Sequence, residues 1–340
     1  MSYRGILTSN AHALATAWIH TIGTSHRGVV LGRDIEVGAD EAAAVVAGLA
    51  STGLDVADLG VASMDELAYV SEVLALPAVH LGQDAATGLG PRRAPFALAD
   101  APGPRRLRVA ERPGNTSTDD LTDDYVAHLR ALAPLHGIRR LDVAVQASGT
   151  SAGTVPLALA DSTIRRREVG EPADLTLVLD PTGQHLAVRD ERGRLVRSDE
   201  VSALLAHHQA SGAAMLFGVP SPLLLARTLL SIVGHRTQPL SELVADAVAH
   251  RETLDVPVSR FDEAARAVER AFARLTPTRR PGDGLQLAGY AGVRGEWTVS
   301  LRRQPDTARA LLVVQAADAP LRAALRDDAR SILKQFAPAA

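Results

Sequence analysis

Apolar and polar positions alternate along this chain in short, repeated blocks. Leu14, Ala17, Trp18 and Ile22 recur at helical spacing and predict a helix over Ser9 to Ile22. Arg27-Gly28 is a turn; Val29-Val30-Leu31 is a buried strand that runs out into Gly32-Arg33-Asp34. An alanine-rich helix is expected from Asp40 to Ser51, closed near Gly53. Val56 to Val61, Asp65 to Ala75 and Ala78 to Leu81 follow as strand, helix and strand. Strands alternating with helices across short joints argue a parallel α/β layer. Residues 88–119, rich in Gly, Pro, Arg and Ala, read as loops with a strand near Leu107 to Val109. A helix from Thr118 to Leu132 is expected to link two domains, with Thr118 as cap and Asp119-Asp120 in its first turn.

Leu141 to Val145 opens a second unit. Leu175 to Leu179, a Pro181-Thr182-Gly183 turn, and Leu186 to Val188 predict strand, turn and strand. After the polar reversal Asp190 to Arg194, Ser198 or Asp199 caps a helix that reaches His208. Arg165-Arg166-Arg167 reads as a solvated charge cluster. Pro222 to Ile232 is one apolar helix. Towards the C-terminus, Phe261, Ala265, Val268, Phe272 and Leu275 mark an amphipathic helix. Glu296 to Leu301 alternates as a strand does, Leu311 to Val314 is a further strand, and Leu321 to Phe336 a last helix.

Composition narrows the function classes. With 340 residues, two to four domains are expected. Aromatic residues are only 3% of the chain, so the cores must be aliphatic. A net charge of -3 gives no reason to expect nucleic acid or an anionic membrane surface as partner. The absence of cysteine excludes disulfides, thiolate catalysis and cysteine-held metals. With neither a signal-peptide pattern nor an apolar run of spanning length, a soluble, cytoplasmic protein is expected. His207-His208 invites a metal reading, but adjacent helical positions point in different directions, so shared ligation by that pair is not expected.

The segment from Ala173 to Glu200 carries a resemblance. Ala173, Asp174, Asp180, Val188, Asp190, Glu191, Gly193, Asp199 and Glu200 match the frame of the central signature of the alpha-D-phosphohexomutases, the phosphomannomutase and phosphoglucomutase family. Val29 to Asp34 and Thr52 to Gly60 resemble successive motifs of that family's first domain, and Tyr3-Arg4-Gly5 stands where it has Ile-Arg-Gly. Gln238 to Leu243 resembles the K-P-L-S-E-L that closes its third domain. Asp283-Gly284 and the Arg302 to Arg309 stretch resemble elements of its fourth. The resemblance implies an α/β, phosphohexomutase-like multi-domain chain with most of the third domain missing and a C-terminal α+β domain. The expected division is 1–130, first α/β domain; 131–220, second α/β domain; 221–249, helical joint; and 250–340, C-terminal domain. About 40 residues between the second and last units are too few for a full α/β domain.

What the resemblance implies for chemistry is depletion. The family's metal loop holds magnesium through three aspartates; this chain offers Asp180, Thr182 and Gln184, with His185 in place of the loop arginine. One carboxylate, a hydroxyl and an amide make a poor site for so hard a cation, so no metal and no other cofactor is expected. An ungapped continuation from Leu81 puts Asp84 on the family's phosphoserine. A carboxylate can accept a phosphoryl group or imitate part of phosphoserine's charge, but it also suits a plain polar loop. The Ala147 to Gly153 loop before a helix is a weak phosphate-loop signal. Arg302, Arg303 and Thr307 stand in the family's phosphate loop, and Arg4 and Arg33 are further candidates for holding a phosphate by charge-assisted bonds; an exposed basic turn is the plainer account. The G-E-x-S-G-H sugar loop is absent. Two functions therefore stand: a non-catalytic relative that binds a phosphosugar, another phosphorylated small molecule or a partner protein, as a homodimer or with an intact hexomutase; or a divergent phosphosugar mutase or isomerase.

Overall fold

The computed structural model describes residues 27–338 apart from 83–85, 91–92, 98–109, 209, 211–213, 276–277, 280–283, 292–295 and 305–306. Arg4 and the Ser9 to Ile22 helix, Asp84, the Leu107 to Val109 strand, Asp283 and the Pro305-Asp306 turn lie outside the described residues. Contacts gather the chain into two units, Met1–Gly193 with Ala213–Thr237, and Arg194–Gly212 with Gln238–Ala340.

In the first unit, β1 (Gly28–Arg33), α1 (Ala39–Ala50), β2 (Asp55–Val61), α2 (Met64–Leu74) and β3 (Ala78–Leu81) alternate as expected. Val29, Val30 and Leu31 are fully buried, as a central strand covered on both faces requires. Ala42, Val45 and Leu49 of α1 pack with Val29 and Leu31, while Val30 packs on the other face with Leu67, Ala68 and Val70 of α2. Ser63 caps α2 by accepting from the Glu66 N–H. β4 (Ala86–Gly90), β5 (Arg93–Ala97) and β6 (Thr116–Thr118) complete a six-stranded sheet in the order β5-β4-β3-β1-β2-β6.

Two expectations are corrected here. The layer is mixed, because β3 and β4 pair antiparallel across the 82–85 joint; so short a joint permits only a hairpin, whereas a parallel pair needs a crossover. Thr116–Thr118 is a strand parallel to β2, and the next helix, α3 (Thr122–Leu132), begins four residues later than expected. Thr118 therefore caps nothing; Asp58 fixes that residue's neighbourhood, its carbonyl accepting from the Asp119 N–H.

The second sheet contains β7 (Leu141–Gln146), β8 (Ile164–Arg167), β9 (Leu175–Leu179) and β10 (Leu186–Asp190), with the short helix α4 (Thr154–Ala158) after β7. β7 lies parallel between β8 and β9, and β10 returns antiparallel along β9. The arginine run is thus not a free charge cluster: it is edge strand β8, and Arg165 and Arg167 both bind the Asp142 carboxylate on β7. A small hairpin, β12 (Met215–Leu216) and β13 (Val219–Pro220), and helix α6 (Pro222–Gly234) close this unit. They follow β11 (Leu195–Val196) and α5 (Ser198–His207), which go with the other unit. The residue capping α5 is Arg197 instead of Ser198 or Asp199; its N–H donates to the Glu200 carboxylate at 2.9 Å.

A buried polar network ties α2, α3 and α6 together. The Asp65 carboxylate, 1% exposed, accepts from the hydroxyls of Ser63, Tyr125 and Ser221 at 2.6, 2.6 and 2.7 Å.

The C-terminal unit continues with α7 (Leu240–Ala249), β14 (Arg251–Pro257), α8 (Phe261–Phe272), β15 (Thr278–Arg279), β16 (Leu285–Tyr290), β17 (Glu296–Arg303), β18 (Arg309–Ala316) and α9 (Ala319–Leu333). Its sheet, β14-β18-β17-β16-β15, is antiparallel throughout. Trp297, Val299 and Leu301 alternate inward from β17 to meet Val268 and Phe272 of α8 and Leu325 and Leu333 of α9. A Cβ on Gly289 would lie 2.5 Å from the Trp297 ring, so the indole sits where only glycine leaves room.

Candidate ligand-binding site

Inside the first unit, three segments converge: the end of β1, the loop after β7, and the β9–β10 loop. Each is a strand's C-terminal end, the place where open α/β sheets put their ligands. Thr150 joins the first two; its hydroxyl accepts from the Ile35 N–H at 3.1 Å and bonds the Asp34 carboxylate. The Thr150 N–H donates to the Pro181 carbonyl at 2.9 Å, joining the second loop to the third. Contact here is tight enough to dictate glycine: a Cβ on Gly183 would stand 2.0 Å from Ser151 Oγ, and one on Gly149 2.1 Å from the Pro181 carbonyl. Both glycines also hold positive φ, at 71° and 73°.

Packing of this kind takes up the groups a ligand would need. Asp180 Oδ1 accepts from the Gln184 and His185 N–H groups, both at 2.8 Å, while Oδ2 accepts from the Thr182 hydroxyl at 2.6 Å. The loop closes on its own carboxylate in the manner of an Asx turn. A magnesium ion would have to displace these bonds, with a hydroxyl and an amide as its other nearby donors, so the residues present do not fit that ion. Titration calorimetry with magnesium is expected to show no micromolar site; a site that disappears in Asp180→Ala would contradict this. In the 147–153 loop, the Thr150 N–H is bound to Pro181 and the Ala152 N–H to Gly149, so neither is offered to an anion.

At the floor of this junction lie two buried titratable groups that the sequence did not single out. Asp34 is 3% exposed and its carboxyl is pushed up to about 6, chiefly by burial, against the Thr150 bond and with help from Glu36 and Asp180. His80 on β3 is 1% exposed and is pushed down to about 4 by burial. Its Nε2 lies 3.1 Å from the Ala62 carbonyl and 3.5 Å from Asp34 Oδ1. At neutral pH the imidazole is therefore uncharged and donates to Ala62. A polar residue after an apolar run gives no sign of such burial, which is why neither was legible from the sequence.

Arg33 is half-buried, and its guanidinium donates to the Val37 carbonyl at 2.6 Å, bracing the turn that follows β1. In the C-terminal unit, Arg302 and Arg303 are the last residues of β17, in register with Leu311 and Ala310. They are strand residues and not part of a turn. Antiparallel pairing with β18 carries the ladder past Leu301 and shortens the loop to 304–308. Arg303 lies over the Phe261 ring and 3.5 Å from Asp262; Arg309 binds Asp255 at 2.8 Å. Arg302 and Thr307 are exposed, and the Thr307 hydroxyl donates to the Gln304 carbonyl at 3.3 Å. Beside β9 and β10 is a cleft of about 440 Å3 with Thr176, Val178 and Arg189 on its walls. Glu171, Asp190 and Glu191 also line it and oppose an anionic ligand.

Two α/β sheets followed by an antiparallel sheet with helices on it make a fold similar to that of phosphoglucomutases and phosphomannomutases. Among solved structures, the chain is similar to a phosphoglucomutase/phosphomannomutase family protein from Burkholderia thailandensis, at 16% identity, covering 98% of this chain and 94% of that one with a TM-score of 0.55. It is similar to a Thermus thermophilus protein assigned as a phosphomannomutase, at 17% identity over 96% of this chain and 94% of the other, TM-score 0.58. Parafusin, a phosphoglucomutase of Paramecium, matches in its open form at 9% identity over 97% and 92%, TM-score 0.52. No protein-family model and no curated protein matches the chain. Among the described residues no helix is long and apolar enough to cross a membrane.

Proposed function

We propose that this chain is a cytoplasmic, non-catalytic protein of phosphohexomutase fold that binds a phosphosugar, its third domain reduced to the helical joint of 221–249. The observation that carries this reading is the Asp180 loop: its carboxylate is hydrogen-bonded at both oxygens by its own loop, and Thr182 and Gln184 bring no second carboxylate to organise a metal or a transferring phosphoryl group. Phosphoryl transfer depends on positioning and charge stabilisation, so loss of the metal ligands, the serine and the sugar loop should compound. Arg302 and its neighbour Arg303 supply the cationic group for the phosphate.

The other reading, a divergent phosphosugar mutase or isomerase with Asp84 as phosphoryl acceptor, draws on Asp34, a carboxyl able to change protonation near neutral pH beside the Asp180 loop. At 3% exposure, that group does not reach a ligand. A coupled assay with pure protein and glucose or mannose 1- and 6-phosphates, with and without the bisphosphate activator, is expected to give no interconversion. Turnover of about 1 s⁻¹ that vanishes in Asp84→Ala would establish the second reading. A thermal-shift screen over hexose and pentose phosphates tests the first, since a ligand of the native state raises the midpoint. No shift with any of them would remove the phosphosugar from the proposal.

A further inference from the structure

Within the C-terminal unit, α5 and α7 pack against each other and bring together three groups that ligate metals. His207 is the last residue of α5. Asp246 and His250 stand one turn apart at the end of α7, on the same side of the helix. His207 Nε2 lies 3.5 Å from Asp246 Oδ2, and His250 Nδ1 lies 3.6 Å from Asp246 Oδ1. All three donor atoms fall within 4.8 Å of one another. The two imidazole rings are parallel to within 5°, their centroids 5.4 Å apart, and both offer an edge nitrogen to the same carboxylate.

These separations are informative. They are longer than the 2.7–3.2 Å or so of an ordinary N–H···O bond. They are close to the roughly 3.4 Å that separates two donors on one tetrahedral zinc ion with metal–ligand bonds near 2.0–2.1 Å. His250 Nδ1 is buried and has no hydrogen-bond partner among the described residues, which is costly for a ring nitrogen unless something else binds it. The backbone around the group is held firmly. The Ala316 N–H donates to the His250 carbonyl at 3.1 Å, and the Gln315 side chain donates to the Ala203 carbonyl on α5 at 2.9 Å.

We infer that His207, Asp246 and His250 form a binding site for a divalent transition-metal ion, with zinc as the ion best matched. Two neutral imidazoles and one carboxylate suit zinc and its borderline neighbours, whereas magnesium and calcium require mostly oxygen donors. The side chains are 24%, 52% and 28% exposed in chain order, so an ion enters from solvent and water completes the coordination. Binding needs the His207 and His250 nitrogens to close towards each other, which side-chain rotation allows. The ion would clamp α5 to α7, two helices far apart in the chain. This inference is independent of the phosphosugar reading and involves none of its residues.

The test uses the full-length chain, freed of metal by chelation and dialysis, titrated with zinc chloride by calorimetry. One equivalent is expected to bind with a micromolar or tighter Kd. Asp246→Asn and His250→Gln should each weaken it at least tenfold, and His136→Ala, at an exposed histidine elsewhere, should not change it. Cobalt(II) in place of zinc should give the visible absorption of a tetrahedral or five-coordinate site, lost in the same variants. Circular dichroism confirms that each variant is folded, and His207→Gln replaces any that is not. Absence of zinc binding up to 100 µM, a figure set well above the micromolar expectation, would overturn the inference. So would binding that persists unchanged in all the ligand variants.

Discussion

Arg227→Ala is expected to destabilise the first unit by on the order of 3–5 kcal/mol, enough to threaten folding in a domain of ordinary stability. The side chain is 2% exposed on α6, with its Nε donating to the Ala133 carbonyl at 3.0 Å and a terminal nitrogen to the Ala158 carbonyl at 2.6 Å. Those carbonyls belong to the C-terminal ends of α3 and α4, where helices leave acceptors unsatisfied and favour positive charge. Burial, with a smaller contribution from Arg130 and against Asp161, lowers the guanidinium to about 10, so it stays charged at neutral pH. Truncation would orphan two buried acceptors and open a cavity at the same place. Arg227→Lys should recover only part of the loss, since its one nitrogen replaces the two separate guanidinium nitrogens that reach the two carbonyls; Arg227→Met refills the volume and isolates the hydrogen-bond share. Urea unfolding at pH 7 measures all three, and a change below about 1 kcal/mol in Arg227→Ala would show that α6 is held by apolar contacts alone.

The opposite sign is expected at Glu66. Burial, against a 2.8 Å bond from the Thr122 hydroxyl and with Asp65 alongside, raises its carboxyl from 4.5 to about 7. Between those values the folded chain keeps a proton that the unfolded chain has lost. Its stability therefore falls as pH rises through that window, and the full penalty is present above about 7. Glu66→Gln preserves the acceptor for Thr122 and removes the charge. It should stabilise the protein by on the order of 1–3 kcal/mol at pH 8 and have little effect below about pH 4.5, where the carboxyl is protonated in both states. Asp34 and His80 also titrate in the acid-to-neutral range, but they do so equally in both proteins, so the difference between the two pH profiles isolates Glu66. Equal profiles at pH 8 and pH 4.5 would show that Glu66 ionises at its ordinary value.

Strands such as Val29-Val30-Leu31 and Leu175 to Leu179 were legible because a run of buried aliphatic residues has few other uses, and α8 was legible from its 3.6-residue apolar stripe. The β4–β5 hairpin was not. Thr87-Gly88-Leu89-Gly90 carries no apolar alternation, and its pairing comes from a neighbour, β3, that supplies the ladder. Arg302 and Arg303 misled for a related reason: charged residues at a strand's end look like a turn until the partner strand is known. The Asp180 loop reads from its residue types as poor in ligands, whereas the binding of its carboxylate by Thr182 and two backbone N–H groups goes with Gly183 at positive φ, a conformation that composition does not reveal. For the metal-binding trio, half of the signal was in the sequence as the Asp246–His250 spacing; the other half, His207, needed the packing of α5 on α7.

That packing also sets an order of events during synthesis. The chain passes between its two units three times, after Gly193, after Gly212 and after Thr237, and α5 is the segment given to the C-terminal unit ahead of time. β18, which α5 also touches, begins about 100 residues downstream, so at about 5–20 residues per second a ribosome delivers it roughly 5–20 s later. For that interval Ala203, Leu204 and Leu205 of α5, all buried in the finished protein, have no completed core to enter. A nascent chain stalled between α5 and α7 is thus a distinct species, with one helix awaiting its partners, and is the form on which a chaperone would have most to hold.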